Sequence, residues 1–237
     1  MNDSASPELA TVKDTYSDFH VAKKSRHLYP TEWVIRTLLG TYPRLKLNTG
    51  GYPGAKLLDL GFGDCRNMPL LWNCGFDIFG VEITERIVEM ARETLAGLGI
   101  EATLRVGRNA AIPFDEGTFE YVLACYSLYY VDKGTSFTDA LREVHRVLRP
   151  GGAIIASLPA PNGFIVKDAV ALGDGHIIVK NDIFGLRNGY VLRAFEDEAD
   201  VAATFGALFD DVTICKCEDD FWGLQINYFI VVARARK

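Results

Sequence analysis

Between Lys56 and Leu158 the sequence alternates short apolar runs with segments of helical periodicity. Near-continuous apolar strands separated by helices are typical of a parallel sheet that is covered on both faces. This alternation predicts an α/β fold with a doubly wound sheet. The predicted strands are Lys56–Leu60, Ile78–Glu82, Thr103–Val106, Tyr121–Cys125 and Ala153–Leu158, and the predicted helices are Asn67–Asn73, Glu85–Leu98 and Ser136–Leu148.

The segment before this region has a different character. Residues 1–13 are polar and are expected to lack fixed structure, and residues 14–50 are expected to form an N-terminal helical cap. Pro30 divides the cap, and Thr31 can cap its second helix, "TEWVIRTLL".

Residues 51–237 are expected to form the main domain, interrupted at 159–191 by a long irregular segment. Long ordered loops of this kind commonly act as lids or binding elements. After this segment the sequence predicts a helix at Glu196–Phe205 and strands at Val212–Cys217 and Tyr228–Ala233.

Composition excludes several classes of function. The 237 residues carry a net charge of -6, which argues against a nucleic-acid backbone as the main partner. The sequence contains no apolar stretch of the ~20 residues needed to span a bilayer, and its N-terminus lacks the features of a secretory signal. We therefore expect no membrane contact. The five cysteines follow neither zinc-ligand nor redox spacing, so we expect reduced thiols, no metal site and a cytoplasmic location.

The first apolar run ends in "LLDLGFGDCRN", with Gly61 and Gly63 on either side of a single residue. If the strand ends at Leu60, this loop lies at the carboxyl edge of the sheet, where open α/β sheets bind ligands. Glycine adopts backbone angles that other residues resist and leaves no Cβ between the chain and a ligand. A tight strand-to-helix turn would also produce the motif.

Glu82 closes the second predicted strand in "FGVEIT". A carboxylate about 20 residues beyond such glycines can accept hydrogen bonds from both hydroxyls of a ribose. The alternative is a solvated carboxylate at a strand end. The glycine turn upstream favours the ribose interpretation.

Four segments together resemble the class I S-adenosylmethionine-dependent methyltransferases in order and spacing: "LLDLGFGDCRN", "GVEIT", "RVGRNAAIPFDEGTFEYVLACYSLYYV" and "LREVHRVLRPGGAIIASLP". The resemblance implies a Rossmann-like, mostly parallel, seven-stranded sheet with an antiparallel last strand, "NYFIVVARA". "YPTEWVIR" and "FGLRNGYVLRAF" further resemble a bacterial subgroup associated with small-molecule or saccharide modification. The implied function is transfer of a methyl group to a small-molecule or sugar acceptor, with a hydroxyl as the expected target.

By this resemblance the cofactor S-adenosylmethionine contacts Asp59, Gly61, Phe62, Gly63, Glu82, Ile83, Asn109, Ala110, Cys125 and Ser127. The glycines approach its methionine portion, and Asp59 supports their loop. Glu82 holds the ribose, Ile83, Asn109 and Ala110 border the adenine, and Cys125 and Ser127 line the methyl-donor side.

Two positions depart from the family pattern. Cys65 replaces the third glycine of the loop, and Arg108 replaces an aspartate that commonly accepts a hydrogen bond from the adenine amino group. Arginine has no acceptor atom. Asn109 can take over that role through its amide oxygen.

The acceptor site is expected beyond the fourth and fifth strands. His176, in the long segment at 159–191, is the candidate general base. Tyr129, Tyr130 and Trp222 are candidate acceptor contacts, with packing under the lid or in the core as the alternative.

Two other functions stay open at this stage. A nicotinamide-dependent oxidoreductase shares the glycine loop and the ribose acid, but it requires a third glycine where this sequence has Arg66. A non-catalytic, cofactor-binding partner subunit is also compatible with the sequence.

Overall fold

The computed structural model describes residues 18–19, 28–47 and 49–236. The predicted tail, 1–13, lies outside these residues. The helices with both ends described are α1 (Glu32–Leu39), α2 (Met68–Asn73), α3 (Glu85–Gly97), α4 (Phe137–Val147) and α5 (Glu198–Gly206). The strands are β1 (Lys56–Leu60), β2 (Asp77–Glu82), β3 (Ala102–Val106), β4 (Phe119–Ala124), β5 (Leu148–Pro159), β6 (Val170–Gly173), β7 (His176–Ile178), β8 (Val191–Arg193), β9 (Phe209–Phe221) and β10 (Leu224–Ala235).

Seven strands form one sheet in the order β3-β2-β1-β4-β5-β10-β9. The first five strands are mutually parallel, and β10 runs antiparallel to both β5 and β9. This arrangement confirms the predicted Rossmann-like fold with its reversed last strand. The chain builds outward from β1 to β3 and then returns to β4 on the other side of β1, so the switch point lies between β1 and β4.

β1 illustrates why the parallel strands are apolar almost throughout. Leu57 packs into one hydrophobic cluster, whereas Leu58 and Leu60 pack into another cluster on the opposite face. Successive side chains of a strand point to opposite faces, so a strand covered on both faces needs apolar residues at nearly every position. Asp59 breaks this pattern, although it is fully buried.

The N-terminus of α4 is fixed by its own side chains. Ser136 and Asp139 form a capping box, in which the Ser136 N–H donates to Asp139 Oδ2 (2.9 Å) and the Asp139 N–H donates to Ser136 Oγ (3.2 Å). The predicted helix is confirmed at this position. By contrast, Thr31 occupies the N-cap position of α1 without a capping hydrogen bond from its side chain.

The segment predicted to be irregular at 159–191 contains regular structure. β6, β7 and β8 form a three-stranded antiparallel sheet, called the small sheet below. Its buried residues Ile177 and Leu192 pack with Tyr129 in a separate hydrophobic cluster. Its strands have only three or four residues, and their glycine-rich connections conceal the strand pattern in the sequence.

No helix within the described residues has the length and apolar character needed to cross a bilayer.

Candidate active site

A cleft of about 810 Å³ opens at the carboxyl edge of the large sheet, beside the switch point. Its volume lies in the range typical of small-molecule sites. The loops after β1, β2, β3 and β4 form one wall, and the small sheet forms the other. The lining includes Gly61, Glu82, Ile83, Arg108–Ala111, Ser127, Tyr130–Ser136, Leu172–Asp174, His176 and Gly189–Val191.

The glycine loop approaches the end of β4 so closely that a side chain does not fit. Gly61 has φ +70°, and an added Cβ there would lie 2.5 Å from Ser127 Cβ. The Ser127 hydroxyl donates a hydrogen bond to the Leu60 carbonyl. Gly61 and Ser127 therefore lie close together in the lining of the cleft.

The Glu82 carboxylate holds the glycine loop. The side chain is buried, and its Oε1 and Oε2 accept 2.8 Å hydrogen bonds from the N–H groups of Gly63 and Ile83. A carboxylate can accept about four hydrogen bonds, so the same group can hold the loop and a bound diol. The carboxylate that was predicted from the strand end thus points towards the glycine loop and lies in the cleft wall.

Asp59, the predicted support of the loop, makes no side-chain hydrogen bond to it. Its carboxylate has no hydrogen-bond partner among the described residues, and it is completely buried. Burial, together with the nearby carboxylates of Glu82 and Asp64, raises the pKa of Asp59 to about 8. An uncompensated buried carboxyl is costly and is a frequent feature of functional sites.

Asn109 joins the loops after β3 and β4. Its amide nitrogen donates to the carbonyl of Ser127 at 2.8 Å, with longer contacts to the carbonyls of Leu128 and Tyr130 at 3.3 Å. The amide oxygen is the remaining acceptor of this side chain. The neighbouring Arg108, which replaces the family's aspartate, pairs with Asp132 at 2.6 Å.

The structure brings six predicted cofactor residues to the cleft wall: Gly61, Glu82, Ile83, Asn109, Ala110 and Ser127. The other four are not among the lining residues. Asp59 and Phe62 are buried, Gly63 donates its N–H to Glu82, and Cys125 donates its S–H to Thr31 Oγ1 at 3.5 Å. Cys65 is also buried, with φ +54°, a backbone conformation that favours the glycine found at this position in the family.

On the acceptor side, Tyr130 and His176 line the cleft. Tyr129 is buried and stacks against the Tyr130 ring, with centroids 4.9 Å apart. Trp222 does not reach the cleft, because it lies at the turn between β9 and β10 and is 98% exposed.

Asp182 lies between β7 and β8 and is buried. Its Oδ2 accepts hydrogen bonds from the N–H groups of Leu186 (3.0 Å) and Arg187 (2.9 Å). Arg187 contacts the same carboxylate at 3.2 Å and donates from Nε to the Tyr130 hydroxyl at 2.9 Å. An aspartate followed by turn-forming residues, "NDIFGLRNG", was the available signal for such a turn.

Within the described part of the chain, no group of three or more His, Cys, Asp or Glu side chains could hold a metal ion.

Comparisons with known proteins agree with this geometry. Residues 58–156 match the sequence model of the family described as a methyltransferase domain. A demethylmenaquinone methyltransferase of Bacillus cytotoxicus is 30% identical over 119 residues, which are 47% of this chain and 49% of that protein. The chain spans half or less of the length of the first curated relatives that it matches.

Solved structures match much more of the chain. A Burkholderia thailandensis 1,6-didemethyltoxoflavin-N1-methyltransferase, solved with its substrate and S-adenosylhomocysteine, matches 100% of this chain and 93% of its own, with a TM-score of 0.62 and 16% identity. A Methanosarcina mazei S-adenosylmethionine-dependent methyltransferase matches 84% of this chain and 99% of its own, with a TM-score of 0.62 and 18% identity. These likenesses concern the fold. Residues 58–156 therefore resemble a methyltransferase domain in sequence, and the large sheet has the Rossmann-like fold of the class I, S-adenosylmethionine-dependent methyltransferases.

Proposed function

We propose that this protein transfers a methyl group from S-adenosylmethionine to a small-molecule acceptor. The observation that carries the proposal is the Glu82 carboxylate, which is held by the N–H groups of Gly63 and Ile83 in the cleft wall beside Gly61. Such a carboxylate at the end of the second strand can accept the hydroxyls of a ribose. The same arrangement gives the glycine loop a fixed position for the other end of the nucleoside.

The residues of the cleft fit this cofactor in shape and charge. Gly61 leaves its backbone uncovered, and Ile83 and Ala110 offer apolar surface for an adenine ring. S-adenosylmethionine supplies an electrophilic methyl group on a sulfonium. The positive charges of its sulfonium and ammonium groups would offset the uncompensated carboxyl of Asp59.

For the acceptor we propose a hydroxyl of a small molecule, including a sugar, with His176 as the general base. His176 lines the cleft opposite the cofactor residues, on β7 of the small sheet, and Tyr130 lines it beside the end of β4. A base removes the proton of a hydroxyl as the new bond forms. The relatives named for a menaquinone precursor and for a sterol support a small molecule as the acceptor.

We also propose that two segments exclude water from the cleft: the N-terminal cap, 14–50, and the insertion at 159–191, which carries β6 and β7. Excluding water strengthens electrostatic interactions inside the site and aligns the two reactants. The remainder of 51–237 would supply the cofactor site.

Incubation with methyl-labelled cofactor and a fractionated cell extract tests this function. We expect label to enter a low-molecular-weight product, and to do so much more slowly with the Glu82→Ala variant. Cofactor binding without labelling of any fraction would instead favour the non-catalytic partner subunit.

His176→Gln is expected to lower kcat by roughly 10²–10⁴-fold, because it removes the base while leaving the cofactor residues in place. Cofactor affinity measured by calorimetry should stay unchanged. His145→Gln is the matched control, since His145 lies on α4 against the ring of Phe209, away from the cleft. Equal activities of the two variants would exclude His176 as the base.

Gly61→Ala is expected to abolish measurable cofactor binding, because the added Cβ would lie 2.5 Å from Ser127 Cβ. Gly99→Ala is the control: Gly99 also has a positive φ (+68°), but an added Cβ would meet nothing within 4 Å. Both variants should lose about 1–2 kcal/mol of stability through backbone strain, and Gly61→Ala should lose more because its added Cβ is too close to Ser127. If Gly61→Ala bound adenosylhomocysteine as Gly99→Ala does, the close approach at Gly61 would have no role in binding.

A further inference from the structure

Two free thiols lie side by side on β9, far along the chain from the cleft residues. Cys215 is exposed and Cys217 is half-buried, and their Sγ atoms are 3.9 Å apart. They share one face because successive side chains of a strand alternate between faces. β9 is an edge strand of the large sheet, and among the described residues β10 is the one strand that pairs with it.

The spacing suits a strained disulfide. Residues two apart in a strand have Cα atoms about 6.4–6.8 Å apart. This separation falls at the upper end of the range of about 4.4–6.8 Å that a disulfide tolerates. Side-chain rotation and a local pucker of the strand would bring the sulfurs from 3.9 Å to bonding distance. The edge position of β9 permits such a pucker, and the resulting strain makes the bond easily reduced.

We propose that Cys215 and Cys217 form a reactive dithiol that closes into an intrastrand disulfide by exchange with small disulfides such as glutathione disulfide. The Cys215 thiolate attacks one sulfur of glutathione disulfide and releases one glutathione thiolate. The Cys217 thiolate then attacks Cys215 Sγ in the mixed disulfide and releases the second. The protein loses two electrons and two protons, and glutathione disulfide gains them as two glutathione molecules.

Exposure determines the order of the two steps, because the thiol of Cys215 is the more accessible one. Burial, together with Cys215 and Asp219, raises the pKa of Cys217 to about 11. Tyr228 lies opposite on β10 and hydrogen-bonds to Cys217. The neighbouring Lys216 pairs with Glu218 at 2.7 Å. The ring-closing step should therefore accelerate about tenfold per pH unit from neutral pH towards the pKa of Cys217.

The test uses the full chain in glutathione redox buffers, with acid quenching and peptide mass spectrometry. We expect a peptide lighter by two hydrogen atoms that contains both cysteines and reverts on addition of reduced glutathione. Cys217→Ser should accumulate a glutathione adduct on Cys215, and Cys215→Ser should form neither product at this strand.

If the unaltered protein also accumulated the glutathione adduct without the internal disulfide, the proposal would be wrong. It would equally be wrong if the disulfide that formed joined another cysteine or a second molecule. The measurement requires neither cofactor nor acceptor, so its outcome is independent of the proposed methyl transfer.

Discussion

Asp59→Asn is expected to make the protein more stable at pH 8 and to make its stability less dependent on pH. Burial raises the pKa of Asp59 to about 8 in the folded protein, against roughly 3.9 in an unfolded chain. At a pH below the unfolded-state pKa, the carboxyl is protonated in both the folded and the unfolded state, so its ionisation does not change the free energy of unfolding. As the pH rises towards 8 the unfolded chain ionises first, so this group removes stability at up to about 1.4 kcal/mol per pH unit.

Asparagine keeps the shape of the side chain and removes this ionisation. Its amide would lack partners, which costs about 1–3 kcal/mol at every pH. The variant should therefore become more stable than the unaltered protein only as the pH rises. Urea denaturation between pH 5 and 9 measures this difference in stability. Asp182→Asn is the matched control, because Asp182 is also buried but accepts hydrogen bonds from backbone N–H groups. The Asp182→Asn variant should lose stability. If the stability of Asp59→Asn and that of the unaltered protein changed in parallel with pH, Asp59 would not be held protonated.

The same substitution should weaken the binding of S-adenosylmethionine more than that of its uncharged-sulfur product, adenosylhomocysteine. Binding of the cationic sulfonium would favour the ionised form of Asp59, whereas an amide cannot become negatively charged. Asp59 would then lower the stability of the protein and strengthen the binding of its cofactor.

Glu82→Ala is expected to lower the affinity for adenosylhomocysteine by about 10–150-fold, since a hydrogen bond to a charged group contributes roughly 1.5–3 kcal/mol. Two effects contribute to this loss. The ribose would lose its acceptor, and the Gly63 N–H, which donates to Glu82 at 2.8 Å, would lose its partner.

Glu85→Ala is the control for this substitution. Glu85 lies three residues further on, at the start of α3, and forms an exposed ion pair with Arg92 at 2.9 Å. Calorimetry on both variants, with circular dichroism to check folding, gives the comparison. Equal affinities would mean that Glu82 serves only the fold.

The sequence was sufficient for the parts of the molecule governed by local pattern. The strand at Lys56–Leu60 was predicted at its observed limits, and α3 was predicted to within one residue. Apolar runs and capping residues determine these elements with little help from distant contacts. Glu82 was also predictable, because its position relative to the glycines follows from the parallel topology.

Features that depend on tertiary contacts could not be predicted in this way. The strands of the small sheet are stabilised by packing of Ile177 and Leu192 against Tyr129, about fifty residues or more earlier in the chain. The missing partners of Asp59 and the exposure of Trp222 are likewise properties of the assembled fold. A sequence pattern does not indicate which buried side chains lack a hydrogen-bond partner or which large apolar side chains are exposed to solvent.

Titration of the unaltered protein with adenosylhomocysteine in a calorimeter measures whether the glycine loop and Glu82 hold an adenosyl cofactor. We expect saturable binding at one site per chain, with no binding of NADH under the same conditions. The absence of heat at millimolar adenosylhomocysteine, or saturable binding of NADH in its place, would contradict it.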